Sequence, residues 1–190
     1  MARRQRVPRR KRYFVGCEGE SEQGYVALLQ RFAEKRGASV HADAKVIPRA
    51  GDPLELVRRA IKMAAQGERG SKPAYSMRFL LLDTDLIGQN PERDAKIPGL
   101  VDRYGFALVR QNCCFEASLL RHIDGHENDD PPSAAIALVR LQQAWPNYKK
   151  GLPAQVLEKR ISLQCVQRAV QTPRNADFRA LIDALRLSPD

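Results

Sequence analysis

The chain has 190 residues, 43% of them hydrophobic and 28% charged, the make-up of one globular domain rather than of a disordered, collagenous or coiled-coil chain. Lys and Arg number 32 against 22 Asp and Glu, a formal charge of +10 that favours polyanionic partners. No apolar run reaches the ~18 residues of a membrane span, and no apolar stretch follows the charged N-terminus, so a non-membrane, cytoplasmic protein without a secretory signal is expected.

Arg3, Arg4, Arg6, Arg9, Arg10, Lys11 and Arg12 carry much of the excess charge, with no acid among them. Residues 1–12 read as a basic flexible arm suited to phosphate contacts and counterion release; the alternative is a solvated tail that aids solubility. Tyr13-Phe14-Val15-Gly16-Cys17 is a short apolar run that reads as a buried strand. Ser21 is placed to cap a helix whose Tyr25, Leu28, Leu29 and Phe32 recur at helical spacing, with Gly37 as its stop. Lys45-Val46-Ile47 is a weak second strand ended by Pro48. Asp52-Pro53 combines a cap with a proline at the first helical position, opening a helix with Leu54, Val57, Ala60, Ile61 and Ala64 on its apolar face.

Met77 to Leu82 is the strongest strand, apolar on both faces as a central parallel strand is, and Asp83 and Asp85 close it. Residues 86–93 read as loop, 94–103 as helix and Gly105 to Val109 as a fourth strand. From Phe115 the pattern is helical: Ser133 is placed to cap a helix to about Trp145, Pro153 to Val170 reads mostly as helix, and a last helix begins near Asn175. The expected class is α/β, a mainly parallel, open, Rossmannoid sheet with helices on both faces. Residues 13–112 form that core and 113–190 a helical extension packed on it. Cys17, Cys113, Cys114 and Cys165 contain no Cys-x-x-Cys pair, which leaves buried free thiols as the expectation.

The acids fall at telling places. Glu18-Gly19-Glu20-Ser21-Glu22 follows the first strand and Asp83-Thr84-Asp85 the third, and open parallel sheets bind ligands beyond the carboxyl ends of their strands. Residues two apart on a strand share a side, so Asp83 and Asp85 aim at one spot, and Glu18 faces them if the two strands are neighbours. Such carboxylates repel one another unless a cation lies between them, and hard oxygen donors suit Mg²⁺ or Mn²⁺. Glu18, Asp83 and Asp85 are therefore the candidate metal ligands, and with Glu22 and Glu116 the candidate catalytic residues. Gly19 allows the sharp strand-to-helix turn. Glu22 equally suits a first helical turn, where the macrodipole favours an acid, and Glu116 equally suits a helix cap. Glu20 is either another site acid or solvent-exposed, and Thr84 points away. His122 lies roughly opposite Glu116 around a helix and reads as a packed histidine. Tyr148-Lys149-Lys150 suits either a phosphate contact or a solvated turn, and Trp145 reads as core.

Cys17-Glu18-Gly19-Glu20-Ser21-Glu22 with a distant Asp83-x-Asp85 resembles the core of TOPRIM-type nucleotidyl-transfer and nuclease domains. Gln111-Asn112-Cys113-Cys114-Phe115-Glu116, Leu119-Leu120-x-His122, Tyr148-Lys149-Lys150-Gly151 and the stretch from Pro173 to Leu185 resemble, in that order, segments of RloB-like proteins, over about residues 12–186. The resemblance implies a TOPRIM-like core at 13–112 in which Glu18 is a metal ligand or general acid/base and Asp83 and Asp85 are metal ligands. It implies a metal that polarises a phosphate and activates water. It further implies a nuclease effector in phage defence or restriction-linked systems, acting on DNA, RNA or tRNA beside an AAA-type or ABC-type ATPase. Cys113 stands where that family usually has Pro, and Leu86 and Ile87 follow the Asp pair where more acids or a His are common, which thins the implied metal shell. No tyrosine nucleophile is identifiable.

A second reading is a non-catalytic nucleic-acid-binding or sensor subunit of an ATPase-containing complex, its acids vestigial. A phosphatase of the haloacid-dehalogenase type would carry Asp-x-Asp after the first strand, not the third. A receiver domain would need paired acids after the first strand and a Lys after a fifth.

Overall fold

A computed structural model describes residues 10–48, 51–70 and 73–189; most of the basic arm, including Arg3, Arg4, Arg6 and Arg9, lies outside them. The first half alternates β1 (Lys11–Cys17), α1 (Glu20–Lys35), β2 (Val40–Val46), α2 (Pro53–Gly67), β3 (Met77–Asp83), α3 (Pro91–Asp94), α4 (Ile97–Tyr104) and β4 (Phe106–Gln111). The strands form a four-stranded sheet in the order β2-β1-β3-β4, every pair parallel.

Side chains alternate across that sheet. Tyr13, Val15, Cys17, Phe79, Leu81 and Val109 face Tyr25, Leu28, Leu29 and Phe32 of α1. Phe14, Leu80, Leu82 and Phe106 face Leu54, Val57, Ala60 and Ala64 of α2, with Ile97 and Val101 of α4. Helices thus cover both faces. Each fully buried Leu or Phe contributes about 1.5–3 kcal/mol relative to exposure. A Cβ on Gly16 in β1 would sit 2.9 Å from Ile47 Cδ1 and from Leu80 Cδ1, so both side chains would have to shift to admit it.

The second half supplies α5 (Phe115–Leu120), α6 (Ala134–Ala144), α7 (Ala154–Leu157), α8 (Leu163–Ala169), a 3₁₀ turn (Pro173–Phe178) and α9 (Arg179–Ala184). Phe115, Leu119, Leu141, Leu157, Phe178 and Leu181 join the apolar cluster on the α1 face, so this layer and the sheet share one core.

Several boundaries differ from the sequence reading. Lys11 and Arg12 belong to β1, and Arg12 is tied down by Asp43 at 3.0 Å and by the Tyr75 ring 4.3 Å from its guanidinium. The N-cap of α1 is Gly19, not Ser21; the Glu22 carboxylate reaches back to accept the Gly19 N–H at 3.1 Å, the half of a capping box that an acid at the third helical position supplies. β2 begins at Val40, since pairing with the whole of β1 extends it through the polar residues His41 and Asp43. The expected helix at 94–103 is two short helices, because the Asn90 side chain caps an earlier turn by accepting from the Arg93 N–H at 3.0 Å. The last helix is a 3₁₀ turn followed by α9. Asp52 and Ser133 cap α2 and α6 as the sequence predicts, accepting the Glu55 N–H at 2.9 Å and the Ile136 N–H at 3.3 Å. The four cysteines are free thiols, with Cys17 and Cys114 buried and Cys113 and Cys165 half-buried.

Candidate active site

The chain runs from β1 outward to β2, then crosses to β3 and on to β4, so the order reverses between β1 and β3. Flanking connections diverge at such a point and leave a crevice beyond the carboxyl ends of the two strands. β1 delivers Glu18 there and β3 delivers Asp83.

Glu18 Oε1 accepts the backbone N–H of Asp83 at 2.9 Å. β3 ends at Asp83, so Asp85 lies on the following turn, where the strand alternation that would aim it beside Asp83 no longer holds, and it is exposed. Its charge still acts on both Glu18 and Asp83. Glu22 enters from the first turn of α1 and Glu116 from the first turn of α5, and both are buried. Glu20 is exposed.

Burial, then the charges of Glu18, Glu22, Asp85 and Glu116, push the Asp83 carboxyl from 3.8 up to about 9. Burial, with Glu18 and Glu116 acting in the same direction, raises Glu22 to about 7. Burial also raises Glu18, against the Asp83 N–H that favours its ionised form. Desolvation and mutual repulsion are what a cation at this edge would relieve. Asp83 Oδ1 is buried and has no hydrogen-bond partner.

Among the described residues no three His, Cys, Asp or Glu side chains form a group spaced to hold a metal ion. Mg²⁺ keeps several waters and is commonly held by one or two carboxylates together with substrate phosphates. Asp83, with an unpartnered buried oxygen, and Glu18, with one oxygen outside the Asp83 hydrogen bond, fit that mode.

Lys150 completes the cluster. Its Nζ lies 3.0 Å from Glu116 Oε1, with its side chain 64% exposed against 5% for Glu116. Tyr148 is buried and its hydroxyl donates to the same oxygen at 3.5 Å. Ser21, displaced from the cap, instead accepts the Gly151 N–H at 2.9 Å and fastens this loop to α1. A Cβ on Gly24 would lie 2.2 Å from the Leu152 carbonyl oxygen, so α1 and the loop meet backbone to backbone.

Gln111 was not singled out from its chemistry in the sequence. It is fully buried, neither atom of its amide finds a partner, and it is the register partner of Asp83. Thr84 is structural: its N–H donates to the Gln111 and Cys113 carbonyls at 3.2 and 3.0 Å. His122 is buried between the Tyr25 hydroxyl at 2.7 Å and the Ser118 carbonyl at 2.8 Å, and burial lowers it to about 4, a packed neutral histidine. Trp145 is core, tilted against Tyr148. A cavity of about 650 Å³ between α1, β2 and α7 contains none of the five candidate acids.

The fold and site define an α/β protein with a parallel sheet, an acidic carboxyl edge at its switch point and a helical C-terminal layer. The chain belongs to the RloB-like protein family, whose sequence profile matches residues 13–180. No curated protein and no solved structure matches it. No helix of the described residues is long and apolar enough to cross a membrane.

Proposed function

We propose that this RloB-like protein is a divalent-metal-dependent nuclease of TOPRIM type that hydrolyses phosphodiester bonds in DNA or RNA, tRNA included. In this reading it is an effector of phage defence or a restriction-linked system and works with an AAA-type or ABC-type ATPase. The observation that carries the reading is the meeting of Glu18 and Asp83 at the β1–β3 edge, within reach of the charges of Glu22, Asp85 and Glu116.

Glu18 and Asp83 would hold Mg²⁺ or Mn²⁺, with Asp85 at the exposed lip. The bound ion would supply Lewis-acid polarisation of the phosphate and a water acidic enough to attack. Glu22 fixes the turn that carries Glu18, through its bond to the Gly19 N–H. Lys150 brings a positive charge to the rim, where it favours an anionic phosphate and opposes the repulsion of the acids.

The test is cleavage of DNA, RNA and tRNA by the purified full chain in Mg²⁺ or Mn²⁺, alone and with its ATPase partner. The wild type should cut at least one of these and Asp83→Ala none. Equal behaviour of the two proteins on every substrate would end the proposal. Salt-sensitive nucleic-acid binding without any Mg²⁺ binding would point instead to a non-catalytic binding or sensor subunit.

A further inference from the structure

The acidic edge by itself repels a polyanion, so a nuclease needs cationic groups beside it to hold the strand. The geometry points to a phosphate-binding cleft for the nucleic-acid backbone between the end of β4 and the 3₁₀ turn, with Arg110 and Arg174 as its anion-binding groups. This inference rests on the nucleic-acid reading above and names where that substrate lies.

The cleft has a volume of about 520 Å³ and is lined by Thr84, Arg110, Asn112, Pro173, Arg174 and Asp177. Thr84 follows Asp83 and Asn112 follows its register partner Gln111, so the cleft lies at the carboxyl ends of β3 and β4, the same end of the sheet as the acids. Apart from Pro173, every lining side chain is polar or charged.

Both guanidinium groups are held from one side. Asp177 Oδ2 takes Arg110 Nε at 2.7 Å and also accepts the Arg110 backbone N–H at 3.3 Å. Asp130 Oδ2 takes Arg174 Nη2 at 2.5 Å, while its other oxygen lies 3.7 Å from the buried Arg121. The two arginine side chains remain 64% and 50% exposed. Asp177 occupies the Nε edge of Arg110, and among the described residues nothing else bonds its guanidinium. A tethered arginine has already lost much of its rotamer freedom, so its remaining N–H groups engage a phosphate at less entropic cost. The fork geometry suits phosphate oxygens.

The test is fluorescence-anisotropy binding of the full chain to short duplex DNA, single-stranded DNA and RNA across a salt series, in EDTA so that no chemistry occurs. Replacing Arg110 and Arg174 together by Ala should weaken binding about tenfold or more at low salt. The slope of log K against log salt should become shallower by roughly 1.4–1.8, the loss of two phosphate contacts. Arg58→Ala with Lys62→Ala, which removes the same formal charge from the outer surface of α2, should leave the slope near wild type. Arg110→Ala with Asp177→Ala keeps the net charge and should still make the slope shallower by roughly 0.7–0.9; it serves if the double arginine variant does not fold. Equal slopes for the cleft variants and the α2 pair, or no binding by the wild type, would overturn the cleft. A shallower slope in a protein that cleaves nothing would keep the cleft and refute the nuclease. Cleavage with unchanged slopes would do the reverse.

Discussion

Glu18 Oε1 accepts the backbone N–H of Asp83 at 2.9 Å, joining the ends of two neighbouring strands across 65 positions of sequence. The bond leaves the Asp83 carboxyl uncommitted and uses only one Glu18 oxygen. Structure and charge at Glu18 can therefore be separated. Glu18→Gln retains an acceptor for the Asp83 N–H and should melt close to wild type while losing cleavage. Glu18→Ala should lose cleavage and also about 1–3 kcal/mol of stability, since it leaves a buried N–H unpaired. Thermal melts beside cleavage assays check both.

Asp83 gives a pH dependence with a defined sign. Its folded value, up to about 9, lies above its ordinary 3.8, so the folded chain binds the extra proton and metal-free stability falls as pH rises through that window. Glu22, raised to about 7, acts in the same direction at lower pH. His122, lowered to about 4, has the opposite slope below pH 6.5. Between about pH 7 and 8 Asp83 dominates, below the range where unfolded thiols ionise. One proton sets a ceiling of about 1.4 kcal/mol per pH unit, or roughly 3–6 °C in Tm. Asp83→Asn should flatten this slope and raise the metal-free Tm at pH 8, and Mn²⁺ should stabilise the wild type more at pH 8 than at pH 7. A wild-type Tm that is level across this range would contradict the assignment.

Lys150 pairs from an exposed position with the buried Glu116, so removing it strips a buried carboxylate of its ion partner and should cost about 1.5–3 kcal/mol of stability. It should also contribute to the proposed reaction, beyond its effect on folding. Lys150→Met is expected to lower kcat at least tenfold, about 1.4 kcal/mol of barrier, when assayed well below its lowered Tm.

How much of this was legible in sequence follows from what each signal depends on. The apolar runs at Phe14 and Leu80, and the caps at Asp52 and Ser133, are local patterns that tertiary contacts did not override. That Glu18 and Asp83 meet at one edge was readable, because parallel strands of one sheet bring their carboxyl ends to the same side. Asp85 was placed by an alternation that stops one residue too early. The length of β2 depends on pairing with β1, and Ser21 lost its expected cap to the long-range bond with Gly151. Gln111, buried beside Asp83 in the sheet, looks like an ordinary strand-end polar residue until the layer that covers it is in place. Lys150 reads in sequence as either a phosphate contact or part of a solvated turn, because its pairing with Glu116 spans two segments that no short-range pattern connects.

Gly24 is a further example, since a glycine inside a helix normally costs stability. Here Gly24→Ala would drive a Cβ to 2.2 Å from the Leu152 carbonyl oxygen. Destabilisation of about 1–3 kcal/mol is expected, or roughly 2–4 °C in Tm per kcal/mol. Cleavage should fall with it at temperatures where the variant is still folded, because the loop that must shift carries Lys150. A variant that melts above the wild type would refute the close approach.

The most direct test of the central claim is anomalous diffraction from a crystal of the full chain soaked in Mn²⁺. A peak about 2.0–2.3 Å from a carboxylate oxygen of Asp83 and of Glu18 is predicted, absent in the Asp83→Asn crystal. Mn²⁺ found only elsewhere, with the Asp83 carboxyl turned to a protein partner, would contradict a metal-bearing edge.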